Sequence, residues 1–105
     1  TPPLVNPEAL SAWAGDRLKA NLGDAQVKPM RAVMGAEDFA FFSQQVPGFY
    51  YRLGATKPGT TNGNLHTPTF RADDGAVPVG MRAMAGLVVD FLTAPPALGT
   101  STAHP

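Results

Sequence analysis

The sequence predicts an α/β fold in which helices cover a sheet, and three observations lead to this class. Apolar residues recur at helical spacing near both ends of the chain and once in the middle. Two shorter apolar or aromatic segments, flanked by glycine or proline, lie between these helices and have the composition of strands. The resulting order of helix, strand, helix, strand, loop and helix is typical of helices packed on a sheet.

The first predicted helix runs from Pro7 to about Asn21. Asn6 has a side chain suited to capping the free amides of a helix start, and the acid Glu8 faces the positive end of the helix dipole. Gly23 is well placed to end the helix. The apolar positions on one face are Leu10, Trp13, Ala14, Leu18 and Leu22. We interpret this stripe, including Trp13, as core rather than as a binding groove.

The middle of the chain alternates between predicted strands and a shorter helix. Residues 26–34 are partly apolar and contain Pro29, so this strand should have one end at a sheet edge. Residues 36–45 resume the helical period, and residues 49–53 form an aromatic strand between two glycines. Residues 55–64 are rich in glycine, threonine and asparagine and predict a loop.

The last predicted helix begins near Ala76 or Val77 and ends before Ala94 and Pro95. Its predicted apolar stripe consists of Val77, Met81, Met84, Val88, Phe91 and Leu92. After it, residues 94–105 hold prolines, small residues and hydroxyl residues, with Leu98 as the one large apolar side chain. We therefore expect residues 94–105 to be a disordered tail.

Composition excludes several classes of function. The chain has 105 residues, which suits one small domain or a part of a larger one. Eight basic and eight acidic residues balance, and no run of like charge stands out, so we expect no nucleic acid partner and no anionic membrane partner. The apolar run from Ala83 to Val89 lies between Arg82 and Asp90, well short of the roughly 20 residues of a membrane span. Cysteine is absent, which excludes disulfides and thiolate metal ligands.

Two segments carry residues that chemistry could use. In the first, residues 34–39 with the sequence MGAEDF, a glycine leads into Glu37 and Asp38 at a helix start, where acids also simply stabilise the helix dipole. The second, residues 65–70 with the sequence LHTPTF, contains His66 beside a proline. An imidazole on a rigid loop suits a metal ligand or an acid/base, although a lone histidine is also often a hydrogen-bonded structural residue. We assign no role to His104, which lies in the tail.

A metal site at His66 would be incomplete within this chain. Catalytic zinc takes about three protein ligands and a water molecule. The sequence contains no HExxH motif, no carboxylate cluster around His66 and no second histidine before the tail. If His66 binds a metal ion, the other ligands must come from sequence outside this chain.

Three segments in series resemble a known family: MGAEDFAFF, VPGFYYRLG and NLHTPTFRADDGAVPVG, at residues 34–42, 46–54 and 64–80. In this order and at these separations they resemble the C-terminal part of the aminoacylase and carboxypeptidase family of metallohydrolases. The resemblance covers roughly residues 2–92. It is strongest to the amidohydrolase branch, which includes hippurate hydrolase, N-acyl-amino-acid amidohydrolases and auxin-conjugate hydrolases.

The resemblance implies roles for individual residues. The histidine of the family pattern Asn-x-x-His-Ser-Pro-x-Phe, a ligand of one of two divalent metal ions, corresponds to His66. Thr67 replaces the usual serine and Asp74 the usual glutamate, and both changes are chemically conservative. The family pattern Gly-x-Glu-Asp-Phe places Glu37 at the floor of the active-site cleft. We expect Glu37 to contact the site and Asp38 to cap the helix.

The resemblance also implies an architecture. It predicts a zinc-peptidase-like three-layer domain with helices covering a mixed sheet, of which this chain is the C-terminal portion. Residues 1–6 would be the end of a lid-domain strand, residues 7–93 the last part of the catalytic domain, and residues 94–105 the tail. The expected partners are the missing N-terminal part of the same protein and, through the lid, a second copy in a homodimer.

The function that follows is a metal-dependent hydrolysis of the amide bond of N-acyl amino acids or small peptides, with two divalent ions, zinc or manganese. The chain alone should be inactive, because it lacks most of the ligands and the general base. The alternative is a stand-alone α/β binding or structural module in which His66 is a loop hydrogen-bonding residue. The sequence leaves open the acyl group, the amino acid, the metal and the compartment.

Overall fold

The computed structural model describes residues 2–30, 37–60, 63 and 67–98. Within these ranges the chain forms three α-helices, α1 (Glu8–Leu22), α2 (Phe39–Ser43) and α3 (Ala76–Thr93), and a short 3-10 helix (Asp24–Gln26) that follows α1. The predicted helices at both ends are therefore confirmed. The middle helix is shorter than the predicted range of residues 36–45.

Helix α1 starts and stops close to the predicted residues, but its start is built differently. The first helical hydrogen bond runs from the Ser11 N–H to the Pro7 carbonyl at 2.8 Å. The predicted cap by Asn6 is wrong, because no side-chain cap bond is made and the Asn6 amide binds Tyr50 instead. Gly23 ends the helix as predicted, with φ of 95° and its N–H bound to the Lys19 carbonyl.

Helices α1 and α3 pack against each other and form the main core of the described chain. Its buried apolar side chains are Leu10, Ala14 and Leu18 from α1 and Ala83 from α3. Trp13 and Phe91 meet edge to face, with ring centroids 5.8 Å apart. Gly86 allows the close approach, since a Cβ there would lie 2.7 Å from the Asn21 side-chain nitrogen. The two helices therefore approach each other closely at small residues in the middle of their interface.

Most of the predicted apolar stripe of α3 points away from α1, and the exception is Phe91, whose ring meets Trp13 of α1. Met81 is 66% exposed and Leu92 76% exposed, and Val77, Met84, Val88 and Phe91 are exposed as well. The reason is that α1 packs on the opposite face, where Ala83 and Gly86 let the two backbones approach. Apolar residues therefore surround α3, a pattern typical of a helix that is covered on several sides.

Helix α3 is also long and apolar enough, by length and composition, to cross a membrane. The uninterrupted apolar run within α3 is shorter than the helix, because Arg82 and Asp90 stand on either side of it. Core helices of soluble proteins meet the same criterion, and Asp90 is engaged by α1 through Arg17. The length of α3 is thus weak evidence for a membrane role.

The predicted sheet does not form within the described residues, which contain no strand. In the first predicted strand, residue 26 belongs to the 3-10 helix, residues 27–30 pair with no strand, and residues 31–34 lie outside the described ranges. The second predicted strand lies within residues 47–57, which also pair with no strand. A strand requires a neighbouring ladder of backbone groups. At Tyr50, the Asn6 side chain binds both the backbone N–H and the carbonyl, at 2.9 and 2.8 Å, and occupies the groups that a neighbouring strand would use.

Helix α2 is anchored by small buried residues, Ala40 and Ser43. The Phe39 ring lies against Gly48, where an added Cβ would be 3.0 Å from the ring, so this glycine brings the segment after α2 close to the helix. In the predicted tail, residues 94–98 are described and residues 99–105 lie outside the described ranges.

Candidate functional site

The predicted metal ligand His66 lies outside the described residues, together with Asn64 and Leu65. The residues that follow it are described, and residues 67–69 make an exposed turn in which the Phe70 N–H binds the Thr67 carbonyl at 3.2 Å. Further on, the Asp73 N–H binds the Ala55 carbonyl at 2.7 Å. This bond ties the third motif segment to residues that directly follow the second.

Glu37 lies two residues before the first residue of α2, and both of its carboxylate oxygens accept hydrogen bonds. The Phe39 N–H donates to Oε2 at 3.1 Å, and the Tyr50 hydroxyl donates to Oε1 at 2.7 Å. Asp38, the predicted cap, makes no side-chain cap bond. That prediction is wrong, because the carboxylate of Glu37 accepts the bond from the free amide of Phe39 and so caps the helix.

The two hydrogen bonds stabilise the ionised form of Glu37. The bond from Tyr50 lowers the pKa of the Glu37 carboxyl most, followed by the backbone bond from Phe39, while partial burial opposes the shift. The charge of Arg52 contributes in the same direction as the hydrogen bonds. Glu37 is therefore a carboxylate at neutral pH.

The same bond keeps Tyr50 protonated. Donation to Glu37 raises the pKa of the Tyr50 hydroxyl above its ordinary value, with burial and the charge of Glu37 acting in the same direction. The Tyr50 ring also packs on Phe39, with centroids 5.5 Å apart. Tyr50 is thus fixed at its backbone by Asn6, at its ring by Phe39 and at its hydroxyl by Glu37.

Sequence reasoning did not find the roles of Tyr50 and Asn6. Local patterns place Tyr50 in a predicted aromatic strand and Asn6 at a predicted helix cap. They are separated by 44 residues, and local patterns carry no signal for such a pairing. The sequence signal at this place is Asn6 beside Pro7, which shows a polar side chain at a helix start but not what it binds.

The geometry limits what Glu37 can do chemically. A carboxylate oxygen can accept about two hydrogen bonds, so each oxygen of Glu37 retains acceptor capacity beyond its bond to Tyr50 or Phe39. Its lowered pKa makes it a weak general base near neutral pH. The arrangement therefore suits a fixed negative charge or an acceptor that orients another group, rather than proton transfer.

No metal centre is complete within the part of the chain that the structure describes. Among those residues, no three histidine, cysteine, aspartate or glutamate side chains gather where they could hold an ion. Glu37, the predicted site residue that is described, has Tyr50 and Phe39 as its partners. The described residues alone therefore do not form a set of ligands for a metal ion.

Comparison with protein families finds one family whose model covers most of the chain. A model described as peptidase family M20/M25/M40 matches residues 1–90, which include all three motif segments. The chain belongs to this family. The resemblance to the amidohydrolases is thereby confirmed. Members of the family generally bind divalent metal ions such as zinc, and membership indicates a zinc-peptidase-like fold.

Individual relatives carry the names of hydrolases. "Uncharacterized hydrolase y4tI" of Sinorhizobium fredii is 32% identical over 70% of this chain and 18% of its own length. "IAA-amino acid hydrolase ILR1-like 2" of Arabidopsis thaliana is 29% identical over 87% of this chain and 21% of its own length. "N-acetyldiaminopimelate deacetylase" of Oenococcus oeni is 31% identical over 83% of this chain and 22% of its own length.

The chain spans about a fifth of the length of these curated relatives. No solved structure matches the chain significantly. Sequence therefore establishes the family, but the match covers only about a fifth of each of these relatives.

Proposed function

We propose that this chain is part of a hydrolase that cleaves the amide bond of N-acyl amino acids or small peptides. The observation that carries the proposal is the family match over residues 1–90. Two relatives narrow the chemistry by their names, one specifying an amino acid conjugate and the other the removal of an N-acetyl group. Both names are consistent with a substrate in which an acyl group is joined to an amino acid.

Within this proposal, His66 is a ligand of one of two divalent ions, zinc or manganese. Such ions, when bound, polarise the amide carbonyl and lower the pKa of a bound water molecule. The described residues gather no set of ligands, so the partners of His66 would come from the part of the protein outside this chain.

Glu37 has a separate role in the proposal. Its carboxylate is ionised, is held by Tyr50 and Phe39, and retains acceptor capacity. We assign to it the orientation of a substrate donor group or of a neighbouring site residue at the floor of the cleft. Proton transfer to the leaving amine would fall to a group with a pKa nearer neutrality.

The exposed face of α3 supports a larger catalytic domain. Its large apolar side chains, such as Met81 and Leu92, are uncovered in this chain, and monomeric proteins rarely expose a continuous patch of this kind. Because the relatives are about five times as long as the chain, we propose that the remainder of the same protein covers this face. A homodimer formed through a lid domain belongs to the same proposal.

The experiment compares a longer protein that contains this sequence with the 105-residue chain, both purified and loaded with zinc or manganese. N-acetyl amino acids and short peptides serve as substrates, and release of the free amino group is measured. We expect hydrolysis by the longer protein and none by the chain alone. A longer protein that loads with metal and hydrolyses none of these substrates would refute the proposal and favour the non-catalytic module.

A further inference from the structure

A continuous set of hydrogen bonds joins three distant parts of the described chain. The Asn6 side chain binds the backbone of Tyr50 twice, at 2.8 and 2.9 Å. The Tyr50 hydroxyl binds Glu37 at 2.7 Å, and Glu37 in turn binds the Phe39 amide at 3.1 Å. These bonds connect the segment before α1, the segment after α2 and the start of α2.

We propose that Tyr50 is a positioning residue, held by Asn6, that fixes the Glu37 carboxylate in one orientation for the hydrolytic site. This inference rests on the function proposed above and assigns that site a further residue. Tyr50 itself touches no reacting atom in this scheme. It acts through Glu37.

The geometry explains why Tyr50 is needed. The bond between Glu37 and the Phe39 amide spans two residues, and by itself it leaves one carboxylate oxygen without a partner. The Tyr50 hydroxyl engages that second oxygen, so the plane of the carboxylate is held at both ends. A group held in this way loses little conformational entropy when it binds a substrate.

The position of Tyr50 is itself determined by contacts at three points. A tyrosine on an unpaired segment would ordinarily be mobile, but the Asn6 amide occupies both backbone groups of Tyr50. The Phe39 ring packs on the tyrosine ring with an interplanar angle of 39°. The hydroxyl is therefore delivered to Glu37 by a rigid support, as is typical of residues that orient a site residue.

The competing explanation is that these bonds are purely structural and only attach α2 to the segment that follows it. A purely structural bond and a bond that positions Glu37 both contribute to stability, so a melting temperature does not separate the two explanations. They differ in turnover, because a purely structural bond does not require a particular carboxylate orientation, whereas the pKa of Glu37 tests whether the bond from Tyr50 forms at all.

The discriminating variant is Tyr50→Phe, which removes one oxygen atom and keeps the ring. The matched control is Tyr51→Phe, the same change at the next residue, whose ring stacks on Phe49 at 5.8 Å. Within the part of the chain that the structure describes, the Tyr51 hydroxyl makes no hydrogen bond. If Tyr50→Phe does not fold, Asn6→Ala serves instead, because it leaves the Tyr50 hydroxyl in place and removes the support of its backbone.

The first measurement is the pKa of the Glu37 carboxyl, followed by carbon NMR in the 105-residue chain. We expect Tyr50→Phe to raise this pKa toward its ordinary value of 4.5, because the largest cause of its lowering is removed. Tyr51→Phe should leave it unchanged. An unchanged Glu37 pKa in folded Tyr50→Phe would overturn the proposal.

The second measurement is turnover of an N-acetyl amino acid by the longer, metal-loaded protein. Loss of one hydrogen bond to a charged group predicts a fall in kcat of about tenfold to a hundredfold for Tyr50→Phe, with a smaller change in KM and an unchanged metal content. Kinetics of Tyr50→Phe equal to those of Tyr51→Phe, in an active protein, would overturn the positioning role and leave the hydrolase intact. An inactive unmodified protein would instead refute the proposed function itself.

Discussion

Arg17 on α1 and Asp90 on α3 form an ion pair across the helix interface, with the Arg17 Nε 2.8 Å from the Asp90 carboxylate. Asn21, one turn further along α1, donates to the same oxygen at 3.1 Å. Both donors lower the pKa of the Asp90 carboxyl, Arg17 more than Asn21. The pair marks the register in which the two longest helices meet, and it neutralises the one acidic side chain of α3.

Asp90→Asn should lower the stability of the chain at neutral pH and reduce its sensitivity to acid. Because the pKa of Asp90 is lower in the folded state than its ordinary 3.8, its stabilisation is complete above that value and is lost as the pH falls through the folded value. The difference in melting temperature between wild type and Asp90→Asn should therefore be largest near neutral pH and shrink as the pH falls below 3.8.

The control for this prediction is Asp16→Asn, which removes the same charge from an exposed position on α1. It should change the melting temperature little at either pH, since surface charges without close partners contribute little. Equal acid sensitivity of the two variants would show that the pair with Arg17 does not form in solution.

Leu18→Ala should destabilise the folded chain by about 2 kcal/mol or more, because it deletes buried methyl groups and leaves a cavity between α1 and α3. Leu18 is 6% exposed, whereas Leu92 is 76% exposed. Leu92→Ala should accordingly change the stability of the chain by less than about 0.5 kcal/mol. Urea unfolding followed by tryptophan fluorescence checks both.

The same pair of variants tests the proposal that the rest of the protein packs on the exposed face of α3. In a longer protein, Leu92→Ala should become clearly destabilising, because the side chain would then be buried against the rest of the domain. An equally small effect of Leu92→Ala in both proteins would contradict this cover.

Gly23→Ala and Gly15→Ala should have opposite effects. Gly23 ends α1 with φ of 95°, which is unfavourable for alanine, so Gly23→Ala should destabilise by about 1 kcal/mol. Gly15 lies within α1, and an added Cβ would meet no atom within 4 Å. Alanine there should stabilise by about 0.5 to 1 kcal/mol through helix propensity. Thermal unfolding of both variants measures the difference, and a stabilising Gly23→Ala would contradict the described end of the helix.

His66→Ala should remove metal from the longer protein. If His66 ligates one of two ions, the variant should lose much of that site's occupancy and orders of magnitude in turnover, with little change in melting temperature. His104→Ala removes the other histidine of the chain and should leave metal content and turnover unchanged. Metal per protein, measured by mass spectrometry, decides between the ligand and a loop histidine.

Unchanged metal content in His66→Ala, with near-normal turnover, would remove His66 from the site. A loop histidine lost from a hydrogen-bond network would instead cost about 1 to 3 kcal/mol of folding free energy. The two outcomes are distinct because one changes metal content and the other changes stability.

Local sequence patterns were sufficient for the bounds of the two long helices. Pro7, Gly23 and Pro95 stand at or next to helix ends, and such boundaries depend on interactions within one or two turns. The three motif segments were also sufficient for the family, because their order and spacing are properties of the sequence itself.

Tertiary structure decided which faces are buried and what the polar side chains bind. Most of the α3 stripe predicted as core is exposed, because α1 packs where Ala83 and Gly86 are small enough for close approach. The predicted strand at residues 49–53 finds no partner strand among the described residues, and Asn6 takes its backbone bonds at Tyr50. Glu37, rather than Asp38, caps α2. Periodicity reports local conformation alone, whereas the buried face of α3 and the backbone bonds of Tyr50 depend on residues that are tens of positions away in the sequence.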